Sequence, residues 1–260
     1  MTPSRQTALI TGAGNGIGRA IAIAMAENDR NVVCADIDLS AAETTAATIR
    51  QLGVEATALK VDVGETSEIS NMIQDIERQC GRLDILVNNA GVTRAADIME
   101  LTEADWDKIH RVNAKGVFFC LQNAAKQMIE QGNGGRIINI ASIAGRGFSG
   151  TSNAAYSASK GAVISLTKTA AQQLAKHDIT VNSICPGVTT TEIVEGLVKT
   201  RAEARGISVE AMVKEMTDNI PLKRANEPED IAAMAIFLAS SGARNITGQS
   251  YNVDGGLVTS

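Results

Sequence analysis

Aromatic residues are scarce in this 260-residue chain, at 3% of the sequence. Its core must therefore be filled by Ala, Val, Ile and Leu, and base-stacking recognition of single strands is disfavoured. Concentrated positive charge is also missing. The net charge is −5 and no Lys/Arg run occurs, which argues against a phosphate-backbone binder and against a nucleic-acid partner. No apolar run approaches the ~20 residues of a membrane span. The N-terminal MTPSRQTALI lacks a signal-peptide layout. A cytoplasmic chain with no membrane partner is expected. Cys34, Cys80, Cys120 and Cys185 are widely spaced with no C-x-x-C, so neither a disulfide framework nor a zinc site, and no metal, is expected. Cys34, Cys120 and Cys185 read as buried, reduced thiols. The only histidines are His110 and His177, and no G-x-S-x-G occurs, so a serine-hydrolase arrangement is not supported.

What is present is regular. Hydrophobic residues are 44% and charged residues 20%, which suits a globular chain with a sizeable core. Apolar runs at 7–11 (TALIT), 32–36 (VVCAD), 56–61 (ATALKV), 84–88 (DILVN), 136–141 (RIINIA), 180–184 (TVNSI) and 249–253 (QSYNV) read as seven strands. They are continuously apolar rather than alternating, as a parallel sheet covered on both faces requires. Helical patterns lie between them. Ile17, Ile21, Ala24 and Met25 share one face, and 40–52, 66–80, 103–131, 156–176 and 228–240 also read as helices. Start signals are Ser40 with Glu43 three on, Thr66, and Pro228 before Glu229 and Asp230. The alternation predicts an α/β fold with a Rossmann-type doubly wound, mainly parallel seven-stranded sheet and helices on both faces. No linker or repeat interrupts it, so residues 1–260 read as one domain.

The stretch TGAGNGIG at 11–18 misses the G-x-G-x-x-G spacing, because Ile17 and Arg19 stand where glycine is needed. Gly12, Gly16 and Gly18 instead give G-x-x-x-G-x-G. The loop leaves a strand and opens a helix, the context for phosphate binding. Gly12 permits the turn, Gly16 removes a Cβ where amides approach a pyrophosphate, and Gly18 allows close helix packing. A ligand-free glycine turn reads the same residues. Asp36 ends the second strand 20 residues after Gly16, where an acidic side chain takes the ribose hydroxyls of NAD and repels the 2′-phosphate of NADP. The neighbouring Ile37 and the loop residue Asn15 offer no cation. NAD is the expected cofactor; an exposed strand-end acid is the plainer alternative.

Tyr156 and Lys160 in YSASK lie one helical turn apart on one face. An ammonium beside a phenol lowers the phenol's pKa, giving a proton acceptor for alcohol oxidation and a donor for carbonyl reduction. A solvated Tyr/Lys pair has the same spacing. Ser142 follows the fifth strand and reads either as a group for the substrate oxygen or as a turn serine. Asn113 lies inside a helical stretch where Asn is unfavourable. It reads as a kink holding a water or as a solvent-facing side chain.

TGAGNGIG, Asp62, NNAG at 88–91, Asn113, Ser142, YSASK at 156–160, PG at 186–187 and VDGG at 253–256 occur in the order of the short-chain dehydrogenase/reductase family, classical type. The chain resembles that family over essentially its whole length. The resemblance implies a tetrad of Asn113, Ser142, Tyr156 and Lys160. Tyr156 is the implied acid/base, Lys160 also holds the nicotinamide ribose, Ser142 orients the substrate oxygen, and Asn113 holds a proton-relay water. The implied cofactor contacts are Gly12, Asn15, Gly16, Ile17, Gly18, Asp36, Ile37, Asp62, Val63, Asn89, Ala90, Gly91, Tyr156, Lys160, Pro186, Gly187, Val188, Thr189 and Thr191. A homotetramer is implied, with helices around 103–131 and 156–176 packing in a dimer interface and burying faces that include Val117, Phe118 and Leu121.

Ser142 and Tyr156 are 14 residues apart, a longer interval than in many members, and the extra length falls in the expected substrate pocket. Its walls should be 92–97, 143–155 and a long excursion over 188–220 that reads as two short helices forming a lid. Arg94, Arg146, Ser149, Ser152 and Asn153 there suit a polyol, sugar or other hydroxylated small molecule. Arg94 or Arg146 would otherwise grip an anionic group, or be solvated surface charges. The competing readings are an NADPH-linked 3-oxoacyl-(acyl-carrier-protein) reductase and a non-catalytic nucleotide sensor. Asp36 disfavours the first and the intact tetrad the second.

Overall fold

The computed structural model describes residues 5–148 and 152–259. Ser149, expected on the pocket wall, lies outside the described residues. The strands are β1 (Thr7–Thr11), β2 (Asn31–Asp36), β3 (Ala56–Lys60), β4 (Ile85–Asn88), β5 (Gly135–Ile140), β6 (Ile179–Pro186) and β7 (Ser250–Val253). They form one sheet in the order β3-β2-β1-β4-β5-β6-β7, and every pairing is parallel. The apolar runs thus fall within a residue or two of the expected strands. Their continuity has a direct cause: Leu9 and Ile10, adjacent on β1, belong to hydrophobic clusters on opposite faces of the sheet.

Helices α1 (Gly16–Glu27), α2 (Leu39–Arg50) and α9 (Pro228–Ala239) cover the face carrying Ile10 and Val87. Helices α3 (Thr66–Cys80), α5 (Val117–Gln131) and α6 (Ala154–Leu174) cover the face carrying Leu9 and Leu86. The remaining α-helices among the described residues are α4 (Glu103–His110), α7 (Glu192–Arg205) and α8 (Val209–Asp218). The last two are the expected helices of the 188–220 excursion, and they pack on each other through Val198, Ala202 and Met212.

Two local readings are corrected, and a third gains a detail. Helix α2 starts one residue before Ser40 because Asp38 is its cap, accepting from the amides of Ser40 and Ala41; a carboxylate at this position serves both orphan amides. Thr66 does open α3, but the cap position is Glu65, which makes no side-chain bond. The stretch 103–131 is not one regular helix, since a π-helical segment, Arg111–Gly116, separates α4 from α5. Pro228 sits at the start of α9 as expected, with Glu227 and Asp230 forming a capping box. Val117 and Leu121 are buried inside the monomer, whereas Phe118 is 40% exposed. The four cysteines are free, and Cys34, Cys120 and Cys185 are buried. Among the described residues, no helix is long and apolar enough to cross a membrane.

Candidate active site

The chain leaves β1 toward β2 on one side and β4 toward β5 on the other. That divergence opens a crevice at the strands' carboxyl ends, where open α/β sheets bind ligands. A cleft of about 400 Å³ lies there.

The glycine loop forms its floor. Gly12 turns at φ +66°, and a Cβ on Gly18 would sit 2.0 Å from the Gly12 carbonyl oxygen and 2.4 Å from Asn89 Nδ2. Gly18 therefore lies beneath the cleft, letting α1 close on the turn, and does not line it. Asn89 Nδ2 donates to the carbonyls of Thr11 and Gly12, both at 3.0 Å, and ties the exit of β4 to the loop. The cap residue of α1, Asn15, makes no side-chain bond. The first-turn amides are left for another acceptor, the arrangement that suits a phosphate. Gly14, outside the expected spacing, has its own reason: a Cβ there would meet Asp36 Oδ2 at 2.9 Å, the atom that accepts from the Gly14 amide at 2.8 Å.

Asp36 and Ile37 line one end of the cleft, with Asp62 and Val63 nearby. Asp36 Oδ1 also accepts from the Asp38 amide at 3.0 Å, so the loop itself fixes the carboxylate. Asp62 accepts from the Gly64 amide and from Arg111. A cation that sequence order conceals stands here: Lys60 on β3 is in register with Asp36, and its charge helps to hold the Asp38 carboxyl below its ordinary range, after the bonds from Ser40 and Ala41.

At the other end lie Ser142, Tyr156 and Lys160. Ser142 ends the extended chain after β5, and its Oγ accepts from the Ala144 amide at 3.1 Å. Asn153 caps α6 by accepting from the Tyr156 amide at 2.8 Å. Lys160, only 3% exposed, donates to the Ile140 carbonyl at 2.8 Å, and its Nζ is 5.6 Å from the Tyr156 ring centroid. The expected lowering of the phenol's pKa is not the resting condition. Burial pushes Tyr156 up to about 12, against a hydrogen bond with Ser142 that pulls it down. Burial also brings Lys160 down to about 8.

Asn113 is fully buried on the π segment that interrupts the helix, so the solvent-facing reading does not hold. The π segment turns its amide inward. Oδ1 accepts from the Val92 amide at 2.8 Å, and Nδ2 donates to the Val92 carbonyl at 3.0 Å and to Ser159 Oγ at 3.1 Å. A Cβ on Gly91 would lie 3.4 Å from Asn113 Oδ1 and 3.5 Å from Lys160 Nζ, so the two atoms close on the same glycine.

Of the residues expected around a cofactor, Gly12, Asn15, Gly16, Ile17, Asp36, Ile37, Asp62, Val63, Asn89, Ala90, Gly91, Tyr156, Lys160, Pro186, Gly187, Thr189 and Thr191 line the cleft, while Gly18 and Val188 do not. Val61, Val112, Ile140 and Ala141 line it unanticipated, while Val92, Thr93 and Val194 come from the expected walls 92–97 and 188–220. Most adjoin a residue that the motifs did mark. The expected substrate arginines are turned elsewhere. Arg94 grips Asp105 through two 2.6 Å bonds and holds that carboxyl well below the usual range. Arg146 Nη2 donates to the Ser250 carbonyl. Neither they nor Asn153 line the cleft. Among the described residues, no His/Cys/Asp/Glu cluster could hold a metal.

The family model described as enoyl-(acyl carrier protein) reductase matches residues 12–258. The chain is 40% identical over 254 residues to 3-oxoacyl-(acyl-carrier-protein) reductase FabG of Staphylococcus epidermidis, covering 97% of this chain and 98% of that protein. It is 40% identical over 251 residues to sorbitol dehydrogenase of Cereibacter sphaeroides, covering 96% of each. Among solved structures, NAD+-bound xylitol dehydrogenase matches with a TM-score of 0.90 at 33% identity, covering 96% of this chain and 98% of that one. An Agrobacterium tumefaciens protein described as a 2-deoxy-D-gluconate 3-dehydrogenase, with bound NADP, matches with a TM-score of 0.85 at 38% identity, covering 97% and 96%. With the parallel sheet, the glycine cradle and the Tyr/Lys pair in one cleft, this chain belongs to the short-chain dehydrogenase/reductase family, oxidoreductases that bind a nicotinamide cofactor and act on alcohol and ketone groups.

Proposed function

We propose that the chain interconverts a secondary alcohol and a ketone with NAD, and that its substrate is a small neutral polyol or sugar. The observation that carries the reading is the juxtaposition of Ser142, Tyr156 and the buried Lys160 on one wall of the cleft. The glycine cradle and the unpaired first turn of α1 would hold the pyrophosphate, Asp36 the adenosine ribose, and Lys160 the nicotinamide ribose. The bound nicotinamide supplies the hydride acceptor or donor. Tyr156 Oη takes the alcohol proton as the carbonyl forms and returns it in the reverse direction. Ser142 Oγ holds the substrate oxygen beside it. Asn113 fixes Val92, and with it the wall facing Tyr156; a relay water on its amide is part of the proposal. Residues 1–260 act as one domain, with α7 and α8 as the lid, in a homotetramer that covers Phe118.

NAD rests on Asp36: its carboxylate is fixed by the Gly14 and Asp38 amides at the end of the cleft assigned to the adenosine ribose, and there it would repel a 2′-phosphate. Lys60 beside it is the feature that would favour NADP. A 3-oxoacyl-(acyl-carrier-protein) reductase is the second reading, supported by the identity to FabG. Initial rates with alditols, simple secondary alcohols and hydroxy acids, each with NAD and with NADP, decide between them when set beside an acetoacetyl thioester with NADPH. Turnover of the thioester alone overturns the polyol reading; turnover of nothing, with nucleotide bound, supports the sensor.

A further inference from the structure

Thr93 lines the cleft on the stretch that follows β4. Its Oγ1 lies 2.5 Å from Ser152 Oγ and accepts from Asn153 Nδ2 at 3.4 Å. Asn153 Nδ2 also donates to the Arg94 carbonyl at 2.7 Å, while its Oδ1 caps α6 at Tyr156. On the other side, Asn113 holds both backbone groups of Val92. Thr93 is therefore fixed to the helix bearing Tyr156 by one buried asparagine and to the π segment by another. Such double anchoring is what a recognition group needs to hold its geometry.

The hydroxyl count leaves this pair with capacity to spare. Two hydroxyls carry two donor hydrogens and four acceptor lone pairs. Their mutual bond uses one of each, and Asn153 uses a second lone pair. One hydrogen and two lone pairs remain, with no further partner among the described residues. Cationic alternatives are lacking as well: Arg94 and Arg146 are turned away, and Lys160 is the one cation among the described lining residues.

We infer that Thr93, with Ser152 behind it, is a specificity-determining group that binds a hydroxyl of the substrate other than the one that reacts, so that the site selects polyols over simple secondary alcohols. The inference rests on the alcohol-oxidising reading of Tyr156. The test compares kcat/KM on C4–C6 alditols with kcat/KM on 2-butanol and cyclohexanol, using NAD. Thr93→Val keeps the shape and removes the hydroxyl; the alditol-to-monoalcohol ratio should fall by roughly 10–10²-fold, the loss expected when a buried substrate hydroxyl goes unpaired. Thr93→Ser should restore most of the ratio, and Ser152→Ala should lower it in the same direction. An unchanged ratio in Thr93→Val, or no restoration by Thr93→Ser, overturns the assignment. A parent enzyme that oxidises the monoalcohols but no alditol overturns it too, while leaving Tyr156 as acid/base intact. A parent that oxidises none of them overturns both.

Discussion

Lys160, not Tyr156, should set the pH at which alcohol oxidation levels off. With the phenol pushed up to about 12 and the ammonium brought down to about 8, the resting pair loses its first proton from the lysine. The reactive form, phenolate beside ammonium, carries the same number of protons as neutral phenol beside neutral amine. Its share therefore rises tenfold per pH unit below about 8 and is flat above it. At the 5.6 Å from Nζ to the ring centroid and an effective dielectric near ~20, the ammonium favours the phenolate by ~3 kcal/mol, or about 10²-fold. Lys160→Met should lower oxidation kcat near pH 7 by that order and remove the plateau, so that the rate keeps climbing above pH 8. A bound cationic nicotinamide ring disfavours the ammonium, so with NAD+ the plateau should begin at or below about 8, not above. Stopped-flow single turnover across pH checks the profile. Ultraviolet titration checks its premise, because the chain has only two tyrosines: subtracting Tyr156→Phe isolates Tyr156, which should give no phenolate signal below pH ~10 without cofactor. A Lys160→Met profile that levels where the parent's does would refute the reasoning.

Gly18→Ala should destabilise the fold by ~2–4 kcal/mol, since a Cβ 2.0 Å from a backbone oxygen forces α1 outward and strains both Asn89 bonds; calorimetry should show a melting point lower by roughly 4–16 °C, and NAD affinity should fall with it. Asp36→Ala with Ile37→Arg should move the ratio of kcat/KM for NAD and NADP toward NADP by at least ~10-fold; a parent that already uses both equally refutes the role given to Asp36. Light scattering at micromolar concentration should report a tetramer, with Phe118→Asp shifting it to smaller species, and a parent monomer would end that proposal.

The sheet was legible because burial on both faces imposes one requirement on every strand, and Leu9 and Ile10 satisfy it side by side. The cofactor end of the cleft was legible for a related reason. Backbone geometry allows only glycine at Gly12 and Gly18, so the requirement is written in residue type. The substrate end was not. Arg94 has a partner, Asp105, on another element, and nothing in the order of residues distinguishes a guanidinium that is taken from one that is free. Asn153 belonged near the site, but as the cap of α6 and the anchor of Thr93. The pKa of Tyr156 departs from the expectation because its burial outweighs the neighbouring lysine, and spacing along a helix carries no record of burial. In a site this enclosed, desolvation raises the phenol and lowers the amine together, and only a charge brought in from outside reverses the balance. On the proposed reading, Tyr156 keeps its proton until the cationic ring of NAD+ is beside it, and only then would it serve as the base.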